Sequence, residues 1–137
     1  MKDNASVRSP RIQSAILLAA LVAAAGSIRA AEAPPPPVFP GIKPVCPCES
    51  LSRVSIPNTT IDSATLDPST GQCRVTATVT HPPSGDRVRV FIGLPVTNWN
   101  GRFRGNGGGG FSGGSAASLA GPEAQGYAAG ATDTGHE

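Results

Sequence analysis

A cluster of glycines in the second half of the chain places the strongest constraint on its fold. Eight of the sixteen residues from Trp99 to Gly114 are glycine, and the cluster follows an alternating apolar stretch and precedes an alanine-rich one. Glycine loses more conformational entropy on folding than any other residue, so such a cluster implies positive φ angles, a close approach of the backbone, or disorder. The stretch predicts a strand that leads into a turn with exposed backbone N–H groups.

Three interpretations of this loop compete. Residues 105–110 match the dinucleotide pattern G-x-G-x-x-G, but a run of glycines matches it almost automatically, and no Gly-Lys-Ser/Thr follows. A flexible linker has a similar composition, yet Trp99, Phe103 and Phe111 predict that buried rings anchor the loop at both ends. The third interpretation is an oxyanion hole, in which N–H groups after a strand stabilise the negative oxygen that forms when an ester carbonyl is attacked.

The composition excludes a strong electrostatic preference for nucleic acid or for an anionic membrane. The net charge is +2, only 15% of the residues are charged, and the lysines and arginines are dispersed. Glycine (17) and proline (14) make up more than a fifth of the 137 residues, whereas aromatic residues make up 4%. The core that this chain can build alone is therefore small.

Residues 1–30 are typical of a secretory signal peptide. Three basic residues precede an uninterrupted apolar run of eleven residues, 15–25, and small residues follow, with cleavage expected after Ala30. Eleven residues are too few to cross a bilayer of about 30 Å as a helix. The sequence therefore predicts a secreted or periplasmic protein that has no membrane attachment after cleavage.

Residues 31–45 form a proline-rich linker. Six prolines lie between Glu32 and Pro44, four of them consecutive. Such a segment is extended and has few backbone donors for a sheet, so we expect a spacer that precedes the folded part, residues 46–137.

The three cysteines, Cys46, Cys48 and Cys73, indicate a disulfide rather than a metal site. A C-x-C pair with one distant cysteine is poor zinc spacing, and His81 and His136 are too scattered to complete a site. In an oxidising compartment Cys73 can pair with Cys48 or with Cys46, which closes a loop of about 25 residues and contributes roughly 3 kcal/mol. One cysteine is then left over.

The order of alternating and small-residue stretches predicts an α/β fold. Residues 73–80 and 88–94 alternate between apolar and polar side chains on either side of a turn rich in proline, so they predict a β-hairpin. After a short strand at 102–104, residues 115–125 are a weak helical candidate that Gly121-Pro122 breaks, and residues 126–132 predict a buried strand. Strand, helix and strand indicate the start of a βαβ unit and hence a parallel sheet.

Several motifs together resemble the N-terminal part of the tannase and feruloyl esterase family, which also contains the hydrolase of mono(hydroxyethyl) terephthalate. They are W-N-G-R-F at 99–103, G-G-G-G-F at 107–111 and D-T-G-H at 133–136, and the similarity extends from about Cys48 to the last residue. Their order and spacing are much more specific than any single motif.

The resemblance implies an exported α/β-hydrolase with an inserted lid and a Ser-Asp-His triad, acting on esters of aromatic acids such as gallate or ferulate. It implies that Gly110 supplies one oxyanion N–H and that Gly109 lines the acyl pocket. It also implies that Cys48 and Cys73 form a disulfide, which leaves Cys46 as the odd thiol. Asp133 and His136 match a structural segment of the family rather than its triad.

The family's nucleophile, in a G-C-S-x-G-G elbow, its acidic and histidine partners and its calcium-binding lid have no counterpart in this sequence. Ser112, Ser115 and Ser118 do not lie in a G-x-S-x-G pattern. We therefore expect no catalytic residue, metal or other cofactor in this chain, which is interpreted as an incomplete part of a secreted ester hydrolase. The alternative is a small secreted β-rich module that binds or has a structural role without catalysis.

Overall fold

The computed structural model describes residues 33–136. Residues 33–137 form a compact unit of the chain. The predicted signal peptide, residues 1–30, lies outside the described residues. Within residues 33–136, no helix is long and apolar enough to cross a membrane.

Five strands form a single mixed sheet with little helix around it. The strands are β1 (Thr59–Asp67), β2 (Gln72–His81), β3 (Asp86–Pro95), β4 (Phe103–Asn106) and β5 (Ala128–Thr132). Their order across the sheet is β1-β2-β3-β5-β4. Two 3₁₀ helices, Cys48–Arg53 and Ala116–Leu119, and one short helix α1 (Ala120–Ala124) complete the described elements.

The parallel pairing predicted for the strand–helix–strand segment is present, and the other strands pair antiparallel. Strands β1, β2 and β3 form an antiparallel meander, and β5 also pairs with β3 in the antiparallel direction. Among the described strands, only β4 and β5 run parallel, joined by the second 3₁₀ helix and α1. A connection of this kind carries the chain back to the start of a parallel neighbour, whereas the short turns before β2 and β3 require antiparallel pairing.

Strand β1 was not predicted from the sequence because its alternation is interrupted. The register with β2 shifts between Ile61 and Ser63, where the extra residue Asp62 has no partner in the ladder. A bulge of this kind changes which residues face a given side. Ile61, Ala64 and Leu66 consequently lie opposite Ala77, Val75 and Cys73 on the same face of the sheet, although their spacing is irregular.

The two faces of the sheet differ in composition and in coverage. The face that we call the open face carries the apolar side chains of β2 and β3, namely Val75, Ala77, Val79, Val90, Ile92 and Leu94. The second 3₁₀ helix and α1 pack on the opposite, covered face, where Leu119 contacts Ala129 and Ala131 and the half-buried Phe91. Within the described residues, the more apolar face is therefore covered only where the first 3₁₀ helix packs against it.

A disulfide joins the first 3₁₀ helix to the sheet. Cys48 and Cys73 are bonded, are 7% and 2% exposed, and pack with Val75 in a small core that Leu51 and Ile61 border. The structure thereby selects Cys48 over Cys46 as the partner of Cys73, and Cys46 is free and exposed.

Helix α1 contains the Gly121-Pro122 pair that we expected to break it. Pro122 lies in the first turn, where backbone N–H groups have no partner within the helix, so its missing donor costs nothing. The next residue, Glu123, is buried against the sheet and forms an ion pair of 2.7 Å with Arg74 of β2. A Cβ added to Gly93 would lie 1.8 Å from Glu123 Oε1, so a glycine in β3 makes room for this carboxylate.

Burial raises the pKa of Glu123, and the Arg74 guanidinium opposes that rise. Oε1 of Glu123 has no hydrogen-bond partner among the described residues, which adds to the cost of the ionised form. The ion pair therefore holds α1 on the covered face, but burial of the Glu123 carboxylate without a partner for Oε1 reduces its net contribution to stability.

Removal of the disulfide tests its role in stability. We expect the double variant Cys48→Ala/Cys73→Ala to lose about 3 kcal/mol of unfolding free energy, because the bond closes a loop with a sequence separation of 25 residues. Urea denaturation measures the loss. The matched control, Cys46→Ala, should unfold like the original chain. Alkylation of more than one cysteine in the unreduced, denatured chain would contradict the assigned pairing.

The buried carboxylate predicts a pH dependence of stability. Because the pKa of Glu123 is raised in the folded state, the folded chain binds more protons than the unfolded chain between the two pKa values. The unfolding free energy should therefore fall as the pH rises from about 4.5 through the raised pKa. Urea denaturation from pH 4 to pH 8 should show this fall relative to Glu123→Gln, which does not titrate. Parallel pH profiles for the two proteins would refute the prediction.

Candidate functional site

The glycine loop, residues 107–115, begins at the carboxyl end of β4. Parallel strands present their carboxyl ends at the same edge of a sheet, so the segment that follows β5, residues 133–136, lies beside the loop. The loop contacts the end of β5 directly, since Gly114 N–H donates to the carbonyl of Thr132, the last residue of that strand, at 2.7 Å. In open α/β sheets this is the edge at which ligands bind.

Side-chain and steric constraints hold both ends of the loop. The Nδ2 group of Asn106, the last residue of β4, donates to the carbonyl of Ser118 at 2.7 Å and so joins the residues that precede and follow the loop. A Cβ added to Gly113 would lie 2.0 Å from the carbonyl oxygen of Asp133, and one added to Gly108 would lie 1.7 Å from that of Ser112. These two glycines are required by close backbone packing.

Gly109 and Gly110, in contrast, are not required by close backbone packing. Both are exposed, and an added Cβ would meet no atom within 4 Å at either position. Gly109 accepts a hydrogen bond of 3.0 Å from Ser112 N–H in a tight turn, and Gly110 has a φ of +60°, the left-handed region that favours glycine. Within residues 33–136, neither amide N–H has a backbone acceptor. The two N–H groups are therefore available to an external acceptor.

The prediction that buried rings anchor this loop is wrong for two of the three aromatic residues. Phe111 is 95% exposed at the turn, and Phe103 is 61% exposed on the open face of the sheet. Trp99 is half-buried, and its Nε1 donates to the carbonyl of Arg102 at 2.9 Å. Hydrogen bonds and glycine contacts, rather than ring burial, position the loop.

Asp133 is buried and has a structural role. Its Oδ1 accepts hydrogen bonds from the N–H groups of Arg89 and Gly135, at 2.8 and 2.9 Å, so it ties the end of β5 to the edge of β3. Its backbone carbonyl accepts from His136 N–H, whereas the His136 side chain is exposed. These contacts support the structural interpretation of the D-T-G-H motif.

The serines near the loop have no histidine partner within the described chain. Ser118 Oγ donates to the carbonyl of Ser115, and Ser112 is exposed. A cluster of Ser, Asp and His side chains does occur at the β2–β3 turn, but Asp86 stands between Ser84 and His81 in it. In a hydrolytic triad the histidine stands between the other two residues. This exposed cluster therefore has the wrong order for nucleophilic catalysis.

Hydrogen bonds in the same cluster change the pKa of Asp86. The Ser84 hydroxyl, with a smaller contribution from His81, holds the pKa of Asp86 below its ordinary value. In the described part of the chain, no group of three or more His, Cys, Asp and Glu side chains is placed to hold a metal ion.

Asn100 holds the turn that precedes β4 through its hydrogen bonds. The sequence patterns did not identify it as an individual residue. It is 2% exposed, and its Nδ2 donates to the carbonyl of Gln125 while its Oδ1 accepts from Arg102 N–H. Its backbone N–H donates to Gly126 and its carbonyl accepts from Val38 N–H, both at 2.8 Å. A buried side chain whose Nδ2 and Oδ1 each have a hydrogen-bond partner explains why asparagine stands in the W-N-G-R-F motif.

The proline-rich segment contacts this same turn. The Arg102 guanidinium donates to the carbonyl of Pro36 at 2.7 Å, next to the bond from Val38 to Asn100. A Cβ on Gly101, whose φ is +81°, would lie 3.0 Å from Val38 Cβ. Residues 36–39, which we call the proline strap, thus lie against the turn that precedes β4. The positive φ and this close contact together account for the glycine at 101.

The chain is similar in sequence to a fungal protein. No family model matches the chain. The chain is 34% identical over 145 aligned positions to a protein of Arthroderma benhamiae described as a probable feruloyl esterase, an alignment that covers 94% of this chain and 25% of that protein. The chain thus spans about a quarter of the length of this relative.

Two solved structures from Aspergillus oryzae have a similar fold. One is an esterase, with a TM-score of 0.54 over 66% of this chain and 22% of its own, and the other is feruloyl esterase B, with a TM-score of 0.53 over 63% and 20%. Both are 22% identical to this chain, so the likeness concerns the fold.

The sequence match covers nearly the whole chain, and the fold is similar to that of two esterase structures. The resemblance of this chain to the tannase and feruloyl esterase family is thereby confirmed.

Proposed function

We propose that this chain is part of an exported carboxylic ester hydrolase that cleaves esters of aromatic acids through a serine acyl-enzyme. One observation carries the proposal. The N–H groups of Gly109 and Gly110 are exposed and have no backbone acceptor among the described residues, in a loop whose ends are held by backbone contacts. Preorganised donors of this kind stabilise an oxyanion without reorganising during the reaction.

The position of the loop in the sheet supports this role. In α/β-hydrolases one oxyanion N–H comes from the loop after a sheet strand, and the other comes from the residue after the nucleophile, which lies on a neighbouring strand-to-helix turn. The glycine loop follows β4, and β4 is an edge strand of the described sheet. A strand added at this edge would bring a nucleophile at its carboxyl end next to Gly110.

The proposed reaction proceeds in two steps. A serine hydroxyl, deprotonated by a histidine that a carboxylate orients, attacks the ester carbonyl, and the carbonyl oxygen becomes an anion held by the Gly110 N–H. Collapse of this intermediate expels the alcohol and leaves an acyl-enzyme, which water then hydrolyses. The serine, histidine and carboxylate of this scheme are not residues of the present sequence, and the loop supplies only the anion-binding part.

The substrate class rests on the relatives. Two of the three proteins described above are named as feruloyl esterases. We therefore propose esters of hydroxycinnamic or related aromatic acids, gallate among them, as substrates. Export to an oxidising compartment fits the Cys48–Cys73 disulfide, because such bonds are rare in reducing compartments.

A chimera tests the function. The chain is placed in the Arthroderma benhamiae relative in exchange for the quarter that it matches, and hydrolysis of methyl ferulate is followed. We expect turnover by the chimera and none by the chain alone. Hydrolysis by the isolated chain would contradict the proposal. A well-folded chimera without activity would favour the alternative of a non-catalytic module.

Removal of a single N–H tests the role of Gly110 in that chimera. Glycolic acid in place of Gly110 exchanges the N–H for an ester oxygen and leaves the loop glycine-like. We expect kcat to fall by about 10²–10³-fold with little change in KM, since the lost bond forms to the oxyanion rather than to the bound ester. The matched control is the same replacement at Gly107, which is also exposed. Equal losses at both positions would refute the assignment.

Alanine substitutions separate loop packing from amide chemistry. Gly113→Ala should lower the unfolding free energy of the chain by about 2 kcal/mol, because its Cβ would overlap the backbone of Asp133. Gly109→Ala should change it little, since its Cβ meets open space. Urea denaturation of both variants measures the difference. Equal stability of the two would contradict the described loop geometry.

A further inference from the structure

The open face of the sheet is a continuous apolar surface. One groove of about 420 Å³ runs between the first 3₁₀ helix and strands β1 to β3, and a second of about 590 Å³ extends from β3 to β4. Both grooves are lined by Val79, Val90 and Ile92, so they form one surface across the sheet. The Cys48–Cys73 disulfide lies towards one end, and the hydrogen bond between His81 and Asp86 lies at the other.

The chemistry of this surface argues against a small ligand. Thr59 is the single residue with a polar side chain among those that line the first groove. A ligand site needs a few convergent polar groups to orient its occupant, and this groove offers none. Large apolar side chains remain exposed along the two grooves, with Val54 at 46% and Ile56 at 47% in the first and Phe103 at 61% in the second.

Comparison of the two faces shows what the open face lacks. The covered face carries Gln72, Arg74 and Thr78 of β2 and is nevertheless packed by helices. The open face is more apolar, and among the described residues only the short first 3₁₀ helix packs against part of it. A sheet must bury its hydrophobic face against another layer.

The length of the relatives indicates the occupant. The chain spans 25% of the Arthroderma benhamiae relative and 22% of the Aspergillus oryzae esterase, so about three quarters of each lies outside the matched part. We propose that the open face is a docking surface for the apolar side of helices in the polypeptide that makes up the rest of such a hydrolase. This inference rests on the proposed function only for the identity of that polypeptide.

A matched pair of substitutions tests the docking surface. Val54→Asp places a charge on the wall of the first groove, and Val45→Asp places the same charge on a fully exposed residue that does not line it. In the isolated chain, where Val54 is half-exposed, both variants should unfold within about 0.5 kcal/mol of the original. In the chimera described above, Val54→Asp should lower Tm by roughly 3 °C or more, while Val45→Asp leaves it unchanged.

Each outcome decides for or against the proposal. Equal Tm values for the two chimeric variants, or a chimera that does not unfold cooperatively, would overturn it. Light scattering that finds the isolated chain to be a dimer that Val54→Asp dissociates would assign the face to a second copy, which also overturns it. A chimera with the expected Tm difference but no hydrolysis of methyl ferulate would contradict the proposed function and leave the docking surface in place.

Discussion

Strand β5 has neighbours of opposite direction on its two sides, and the rest of the described fold depends on this arrangement. It pairs antiparallel with β3 and parallel with β4, so it joins the meander to the one parallel pair. Its residues are small because both faces are packed closely. A Cβ on Gly130 would lie 2.7 Å from the Phe103 ring, and Ala129 on the other face is fully buried near Leu119. Larger side chains would separate β4 from the sheet and displace the glycine loop.

The loop itself divides its glycines between two tasks. Gly108 and Gly113 are required because neighbouring carbonyl groups occupy the space of a side chain, whereas Gly109 and Gly110 leave their amides open to solvent. Close packing of the first pair fixes the loop backbone, and the second pair provides two N–H groups that can donate hydrogen bonds to a ligand. This division distinguishes the loop from a flexible linker of the same composition, in which no glycine would be fixed by contact with the backbone.

The strands with regular alternation could be predicted from the sequence, and the features that depend on long-range contacts could not. Residues 73–80 and 88–94 alternate without interruption and correspond to β2 and β3, whereas the bulge at Asp62 hides the periodicity of β1. The small residues of β5 indicate burial but not the direction of its neighbours. The ring of Phe103 is exposed because the part of the open face on which it lies has no cover among the described residues, a fact that local sequence does not contain. The buried network around Asn100 involves residues from 38 to 126, and no local pattern identifies it.

The asparagines that organise the site are also chemically vulnerable. Asn100 and Asn106 each precede a glycine, and Asn-Gly is the dipeptide in which the following backbone nitrogen most readily attacks the side-chain amide and releases ammonia. In the folded chain both amides are engaged, with Gln125 and Ser118 respectively, and that engagement opposes the attack. Deamidation would exchange a donor for a carboxylate facing a carbonyl oxygen. The native fold therefore slows deamidation of these two residues. Molecules that have been unfolded for long periods should contain deamidated Asn100, which peptide mass spectra would detect.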